Sequence, residues 1–212
     1  MNFNNIEWLF FDFGTTLVDE TEAYDHRIRE VISGTDITFE QFNEKRIYFA
    51  KQNLKGDLEA IKFFGLKNTP WHKEDEKPYP EAEQILKYLS EKGYKIGIIA
   101  NQSAGTAERL EKWGLLKYID VVAASAEEGV AKPDKEIFLR ALKRAACSAE
   151  NAVMIGDRLD NDIVPAKKLG MKTIWVKQGM AAYGSPQNEE EIPDNTVESI
   201  SELTEIFQNN KI

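Results

Sequence analysis

Short apolar runs alternate along the chain with longer stretches whose apolar residues recur at helical spacing. The first run is Trp8-Leu9-Phe10-Phe11, preceded by Ile6 and ending at Asp12-Phe13-Gly14-Thr15-Thr16. Ile96-Gly97-Ile98-Ile99-Ala100 ends at Asn101, and Asp120-Val121-Val122-Ala123-Ala124 is shorter. Ala152-Val153-Met154-Ile155 ends at Gly156-Asp157, and Thr173-Ile174-Trp175-Val176 is followed by Gly179. Continuous apolar runs of this length predict strands buried on both faces. Between them, Pro80 to Lys92, Asp134 to Ala146 and Asn161 to Leu169 each carry a single apolar stripe. Gly93 and Gly170 are natural stops, and Pro133 stands just before the second stripe.

This alternation predicts an α/β fold, a doubly wound parallel sheet with helices on both faces, whose ligands sit beyond the carboxyl ends of the strands. One segment departs from it. From Asp19 to about Pro78 no strand-like run occurs, but Tyr24 to Ile32, Thr38 to Gln52 and Asp57 to Phe64 show helical patterns. Thr38, with Gln41 three residues on, has the form of a capping box. An insert this long is too large for an ordinary loop and predicts a small helical domain at residues 19–78, near the strand ends. The core is then residues 1–18 and 79–212. The polar stretch from Ala181 to Asn195 reads as a surface loop, and Ser199 to Phe207 as a last amphipathic helix.

Composition narrows the function. The 212 residues include 27 Lys and Arg against 36 Asp and Glu, a net charge of −9. With no basic patch visible, nucleic acid is not an expected partner. No apolar run reaches membrane-spanning length, and Met1 to Glu7 lacks the basic residues of a secretory leader. Cys147 is the single cysteine. These features fit a cytoplasmic setting without membrane contact.

The chemistry collects where strands end. Asp12 follows the first run, Asn101 the second and Asp157 the fourth, with Asp162 five residues further on. Lys132 precedes Pro133 in the loop ahead of a helix. In the predicted sheet these loops share one edge. Carboxylates brought that close raise one another's pKa unless a cation neutralises them, and a hard-oxygen set of this kind suits Mg²⁺.

These stretches resemble the motifs of the haloacid dehalogenase-like (HAD) hydrolases, mostly Mg²⁺-dependent phosphatases. Phe10 to Leu17 is similar to the first motif, a hydrophobic run and then Asp-x-Asp-Gly-Thr-Leu. Ile96 to Asn101 resembles the second, Ala131 to Phe138 with its Lys-Pro the third, and Ile155 to Asp162 the fourth, Gly-Asp-x-x-x-x-Asp. The helical insert falls where the family carries a helical cap on its Rossmann-like core. The resemblance implies Asp12 as nucleophile, forming an aspartyl-phosphate on a small phosphorylated metabolite. It implies Mg²⁺ held by Asp12, Asp157 and the Gly14 carbonyl, with Asp162 in support. Lys132 would neutralise the nucleophile and the phosphoryl group, and donors around Phe13, Gly14 and Asn101 would hold phosphate oxygens.

Two positions depart from the pattern. The family's second aspartate, which protonates the leaving alkoxide, is Gly14 here, and its phosphate-binding Thr or Ser is Ala100. Loss of a general acid–base typically costs about 10²–10⁴-fold in rate. Slow turnover of alkyl esters is therefore expected, with better rates on acyl or aryl phosphates, unless Asp19 or Glu20 substitutes as the acid. Two other readings stand beside this one. One is a catalytically impaired protein that binds a phosphorylated ligand or a protein partner, favoured by Gly14 and Ala100. The other is a dehalogenase-type hydrolase, disfavoured by Asp157.

Each residue also has an ordinary reading. Asp157 and Asp162 could cap a helix, Asn101 could serve a turn, and Lys132 could be a solvated surface residue. Arg158 and Asp160 read as surface or supporting residues. His26 and His72 read as single histidines without partners, and Trp71 and Tyr79, at the edge of the insert, as aromatic packing. Cys147 reads as inert.

Overall fold

The computed structural model describes Phe3 and residues 5–208. Positions 1, 2, 4 and 209–212, which the expected core ranges include, lie outside the described residues. In chain order, β1 (Trp8–Phe11) and β2 (Val18–Asp19) precede helices α1 (Thr21–Ile32), α2 (Phe39–Ala50) and α3 (Gly56–Phe63). Next come β3 (Lys77–Pro78), α4 (Ala82–Glu91), β4 (Lys95–Ala100), α5 (Thr106–Lys112), β5 (Val121–Ala124), α6 (Ser125–Glu128) and α7 (Lys135–Arg144). The chain continues through β6 (Ala152–Gly156), α8 (Val164–Lys168), β7 (Lys172–Val176), β8 (Asn195–Val197) and α9 (Leu203–Gln208).

Six strands form one parallel sheet in the order β5-β4-β1-β6-β7-β8. The chain builds outward from β1 to one side through β4 and β5, then returns to β6 and builds to the other. The order therefore reverses around β1, and the loops after β4, β1 and β6 open side by side at the carboxyl edge, where such sheets bind ligands.

Alternation along β1 explains why its run is apolar throughout. Leu9 and Phe11 enter the cluster on one face with Ile85, Leu86 and Leu89 of α4. Trp8 and Phe10 enter the other with Ile137, Phe138 and Ala141 of α7. Burying each such side chain contributes roughly 1.5–3 kcal/mol. Gly97 faces Phe10 across the sheet, and a β-carbon there would lie 2.5 Å from the ring, so the neighbouring strand has room only for glycine.

The insert also folds by its apolar pattern. Ile28 and Val31 of α1, Phe42 of α2, and Ala60 and Ile61 of α3 form a separate cluster. Thr38 caps α2 with both hydrogen bonds of the capping box, 3.2 Å to the Gln41 amide and 2.9 Å from its own amide to the Gln41 side chain. The structure corrects the expected element map in places. β2 and β3, the two chain segments entering and leaving the insert, pair antiparallel where no strand was expected. Asn195 belongs to an edge strand rather than a loop, held by backbone pairing to β7 and by Asp194, whose carboxylate accepts from the Thr173 amide at 2.9 Å. The helix expected from Asn161 begins instead as a wide π turn at Leu159–Ile163. α5 and α6 were not foreseen. No helix among the described residues is long and apolar enough to cross a membrane.

Gly97→Ala is expected to destabilise the protein by about 1–3 kcal/mol through overpacking against Phe10. A lowered urea midpoint, partly restored when Phe10→Leu is added, would show this. An unchanged midpoint would mean the ring has space to move.

Candidate active site

Asp12 and Asp157 enter the site from the ends of the neighbouring strands β1 and β6, and Asp162 from the π turn that follows. The Asp12 amide donates to the Ile155 carbonyl at 2.8 Å, which carries the ladder between β1 and β6 one residue beyond β1. Beyond it the chain reverses tightly. The Leu17 and Val18 amides both donate to the Phe13 carbonyl at 3.0 Å, and Thr15 holds a left-handed backbone with φ of 59°. A β-branched residue there is strained. The Gln178 side chain ties the turn down by donating to the Thr15 carbonyl at 3.3 Å.

Lys132 crosses from the loop before α7. Its ammonium lies 2.7 Å from Asp12 Oδ1 and 2.6 Å from Asp162 Oδ1, and the residue is only 5% exposed. Burial alone would pull this amine down, but the charges of Asp12 and Asp162 overcome it and raise its pKa, so it stays protonated. The main chain of Lys132 is fixed as firmly as its tip. Asn101 Oδ1 accepts from its amide at 2.7 Å, and Asn101 Nδ2 donates to its carbonyl at 2.8 Å. The Asn101 side chain is thus spent on holding Lys132, leaving its amide as the group available to a phosphate.

Asp157 and Asp162 play different parts. Asp162 is fully buried, with one oxygen on Lys132 and the other accepting from the Arg158 amide at 2.9 Å. Burial, opposed by Lys132, lifts its carboxyl to about 6. Burial, and then the charges of Asp12 and Asp162, push Asp157 well above the usual carboxylate range, with Arg158 acting against them. Its carbonyl is held at 2.6 Å by the Trp175 indole. Carboxylate oxygens of Asp12, Asp157 and Asp162 all lie within 4.8 Å of one another. One ammonium for three acids leaves the set short of positive charge, and a hard divalent cation on Asp12 and Asp157 would supply it. The donor set therefore fits Mg²⁺, with Asp162 behind Lys132 and the Arg158 turn.

These residues open on a cleft of about 570 Å³, whose floor includes Asp12, Gly14, Asn101, Lys132 and Asp157. Residues of the insert, among them Tyr24 and Arg27 of α1 and Lys55 just before α3, form the facing wall. The Phe13 side chain does not reach it. That ring is fully buried, stacks on Trp113 at 5.9 Å and lies under Arg109, so only the Phe13 main chain can serve a ligand. Gly14 brings its backbone to the cleft. Trp71 lines it too, yet its indole also donates to Glu76 at 2.7 Å and its ring packs against Tyr24. Arg158 and Asp160 pair with each other at 2.5 Å.

Glu76 and Arg109 carried no readable signal in the chain, whereas Glu20 was singled out with Asp19 as a substitute acid. Glu76, just before β3, forms a buried ion pair with Arg109 of α5, beside Gln102. Glu20 is 8% exposed at the head of α1. Burial, then the charges of Glu76 and Asp12, raise its carboxyl to about 8. His26 and His72, expected to stand alone, stack at 3.7 Å, with His26 2.7 Å from Asp75 and His72 2.8 Å from Glu30. Ligand atoms of His26, His72 and Asp75 lie within 4.8 Å of one another, and each histidine already faces a carboxylate.

Two outcomes are expected. Lys132→Met leaves Asp162 buried and uncompensated, at about 3–5 kcal/mol. Chemical denaturation at pH 7 should show this, with partial recovery in Lys132→Met/Asp162→Asn. Mg²⁺ at 100 times its Kd should stabilise the native protein by about 2.7 kcal/mol. A melting-temperature rise with MgCl₂ that survives in Asp157→Asn would speak against the cation site.

Known proteins are similar to this chain in sequence and in fold. The glyceraldehyde 3-phosphate phosphatase of Methanopyrus kandleri is 35% identical over 133 residues, 62% of this chain. The chain spans less than two thirds of that relative's length, 57%. The glyceraldehyde 3-phosphate phosphatase of Methanothermobacter thermautotrophicus is 32% identical over 204 residues, covering 94% of this chain and 87% of that one. Among solved structures, the HAD phosphatase of Thermococcus onnurineus superposes with a TM-score of 0.66 over 98% of this chain and 100% of its own, at 23% identity. The magnesium-bound HAD hydrolase YfnB of Bacillus subtilis does so with 0.70 over 95% and 98%, at 22% identity. These two share the fold. A family model described as haloacid dehalogenase-like hydrolase matches residues 9–176, a span holding Asp12, Asn101, Lys132, Asp157 and Asp162 together with the insert, and the chain belongs to that family.

Proposed function

We propose that this protein is a Mg²⁺-dependent phosphatase that hydrolyses a small phosphorylated metabolite through an aspartyl-phosphate on Asp12. The observation that carries the reading is the Lys132 ammonium between Asp12 and Asp162, at the mouth of a cleft that Asp157 also lines. With Oδ1 of Asp12 on Lys132, its Oδ2 is the oxygen left to attack phosphorus. As that P–O bond forms and the ester P–O bond breaks, Lys132 offsets the negative charge on the attacking carboxylate and the phosphoryl group. The amides of the turn at Phe13 and Gly14 and of Asn101 are placed to take phosphoryl oxygens. A bound Mg²⁺ would add further charge neutralisation at those oxygens, held by Asp12, Asp157 and the Gly14 carbonyl. Water then cleaves the acyl phosphate and frees Asp12.

In this reading residues 19–78 are the cap, and substrate choice lies in the wall they present. Lys55 and Lys73 line that wall, which suits an anionic ligand. The relatives named as glyceraldehyde 3-phosphate phosphatases support a small phosphate monoester, whereas Gly14 taken alone supports a substrate whose leaving group needs no proton. The reaction belongs in the cytoplasm, where the free thiol of Cys147 stays reduced. Burial pushes that thiol up to about 11, which keeps it protonated and inert at neutral pH.

Gly14 and Ala100 also favour a second reading, binding of a phosphorylated ligand without turnover. One measurement separates the two. With Mg²⁺ and a panel of small phosphate esters, the phosphatase releases inorganic phosphate, and Asp12→Asn lowers the rate by about 10⁴-fold or more. Ligand binding with no phosphate release in the unmodified protein would instead establish the second.

A further inference from the structure

The family's first motif carries an aspartate where this chain has Gly14, and the structure shows what occupies the space. A β-carbon at position 14 would lie 2.7 Å from both Cδ and Oε2 of Glu20, and closer still to Oε1. No side chain fits at position 14 while Glu20 is in place. Resting on the phosphatase reading, we propose that Glu20 is the general acid–base of this site, delivered from the head of α1 into the space that Gly14 leaves open.

The local structure is built around that placement. Glu20 occupies the N-cap position of α1, yet its side chain makes no capping bond and turns inward instead. Thr15 Oγ1 donates to Glu20 Oε2 at 3.1 Å, and Thr15 is the residue held in the strained left-handed conformation. Strain kept at a turn whose side chain orients a buried carboxyl is the pattern of a functional site. Arg109, the nearby cation, is taken by Glu76, and no ion pair to Glu20 occurs among the described residues. Glu20 lines the same cleft as Asp12, Lys132 and Asp157.

The proton balance closes on this residue. When the Asp12 oxygen bonds to phosphorus and the ester P–O bond breaks, the Glu20 proton passes to the departing alkoxide, which leaves as an alcohol. The resulting Glu20 carboxylate then takes a proton from the water that attacks phosphorus. That step releases inorganic phosphate, frees Asp12 and returns Glu20 to its starting form. Turnover of alkyl esters then no longer has to be slow, and the departure at position 14 becomes an exchange of one acid for another.

The test compares Glu20→Gln with the unmodified enzyme on two kinds of phosphate donor in the presence of Mg²⁺. Glycerol phosphate and a triose phosphate need a protonated leaving group, whereas acetyl phosphate and p-nitrophenyl phosphate do not. Glu20→Gln should lose about 10²–10⁴-fold in kcat on the alkyl esters. It should still phosphorylate Asp12 from acetyl or p-nitrophenyl phosphate at a near-normal burst rate. The adduct should then persist, because no base activates water. The exchange can also be reversed. Glu20→Ala should be as poor as Glu20→Gln on alkyl esters, and Gly14→Asp/Glu20→Ala should regain at least about tenfold, while Gly14→Asp alone should disturb folding. An equal loss of the phosphorylation burst on all donors would make Glu20 structural, and unchanged alkyl turnover would remove it from the mechanism. An unmodified enzyme that forms no Asp12 adduct and releases no phosphate would overturn the phosphatase reading and this assignment together.

Discussion

The Lys132 ammonium, buried between Asp12 and Asp162, stands where three parallel strands deliver their ends. Bringing the Asp12, Asp157 and Asp162 carboxylates within 4.8 Å would be strongly unfavourable without it. Much of the surrounding structure serves this one contact. Asn101 fixes the Lys132 main chain from both sides, the π turn after β6 points Asp162 inward, and the Arg158 amide occupies the second oxygen of Asp162. The outcome is an Asp12 with one oxygen restrained and one available, which is the geometry a nucleophilic carboxylate needs.

Around that pair the site divides its acids by environment. Asp162, fully buried and doubly bonded, holds position. Asp157, pushed upward by burial and by its neighbours, is the acid most in need of a cation. Glu20, with no ion-pair partner among the described residues, is raised to about 8 by burial and by its acidic neighbours. The insert takes part in this division. Its first helix carries Glu20, and the chain leaving it carries Glu76, which occupies Arg109 and so keeps that cation from Glu20. The placement of Glu20 and of the insert residues that line the cleft thus depends on the same two chain crossings, β2 and β3.

Some of this was legible along the chain, because it depends on neighbours in sequence. β1, β4, β6 and β7 showed as apolar runs since both faces of a parallel sheet are buried. α4 and α7 showed as stripes, and the cap of α2 as the pair Thr38 and Gln41. Asp12 and Asp157 were marked by their positions at strand ends, and Lys132 and Asp162 by their motifs. β8 was not legible, because a three-residue stretch opening on Asn195 is too short to mark a strand, and it becomes one only when β7 offers a free edge. The Arg109–Glu76 pair and the stacked His26 and His72 join residues far apart in the chain, so no spacing rule could reveal them.

Position 14 separates the two kinds of information most clearly. The sequence by itself determined the parallel sheet, the helical insert and the ring of acids at the strand ends, because hydrophobic periodicity and strand termini are local properties. It also determined that a carboxylate is absent at Gly14. Only the tertiary structure decided that the absence is filled, since the turn at Thr15 and the entry angle of α1 bring the Glu20 carboxyl to within a bond length or two of where that side chain would begin. A missing group is a fact about one residue, whereas its replacement is a fact about packing.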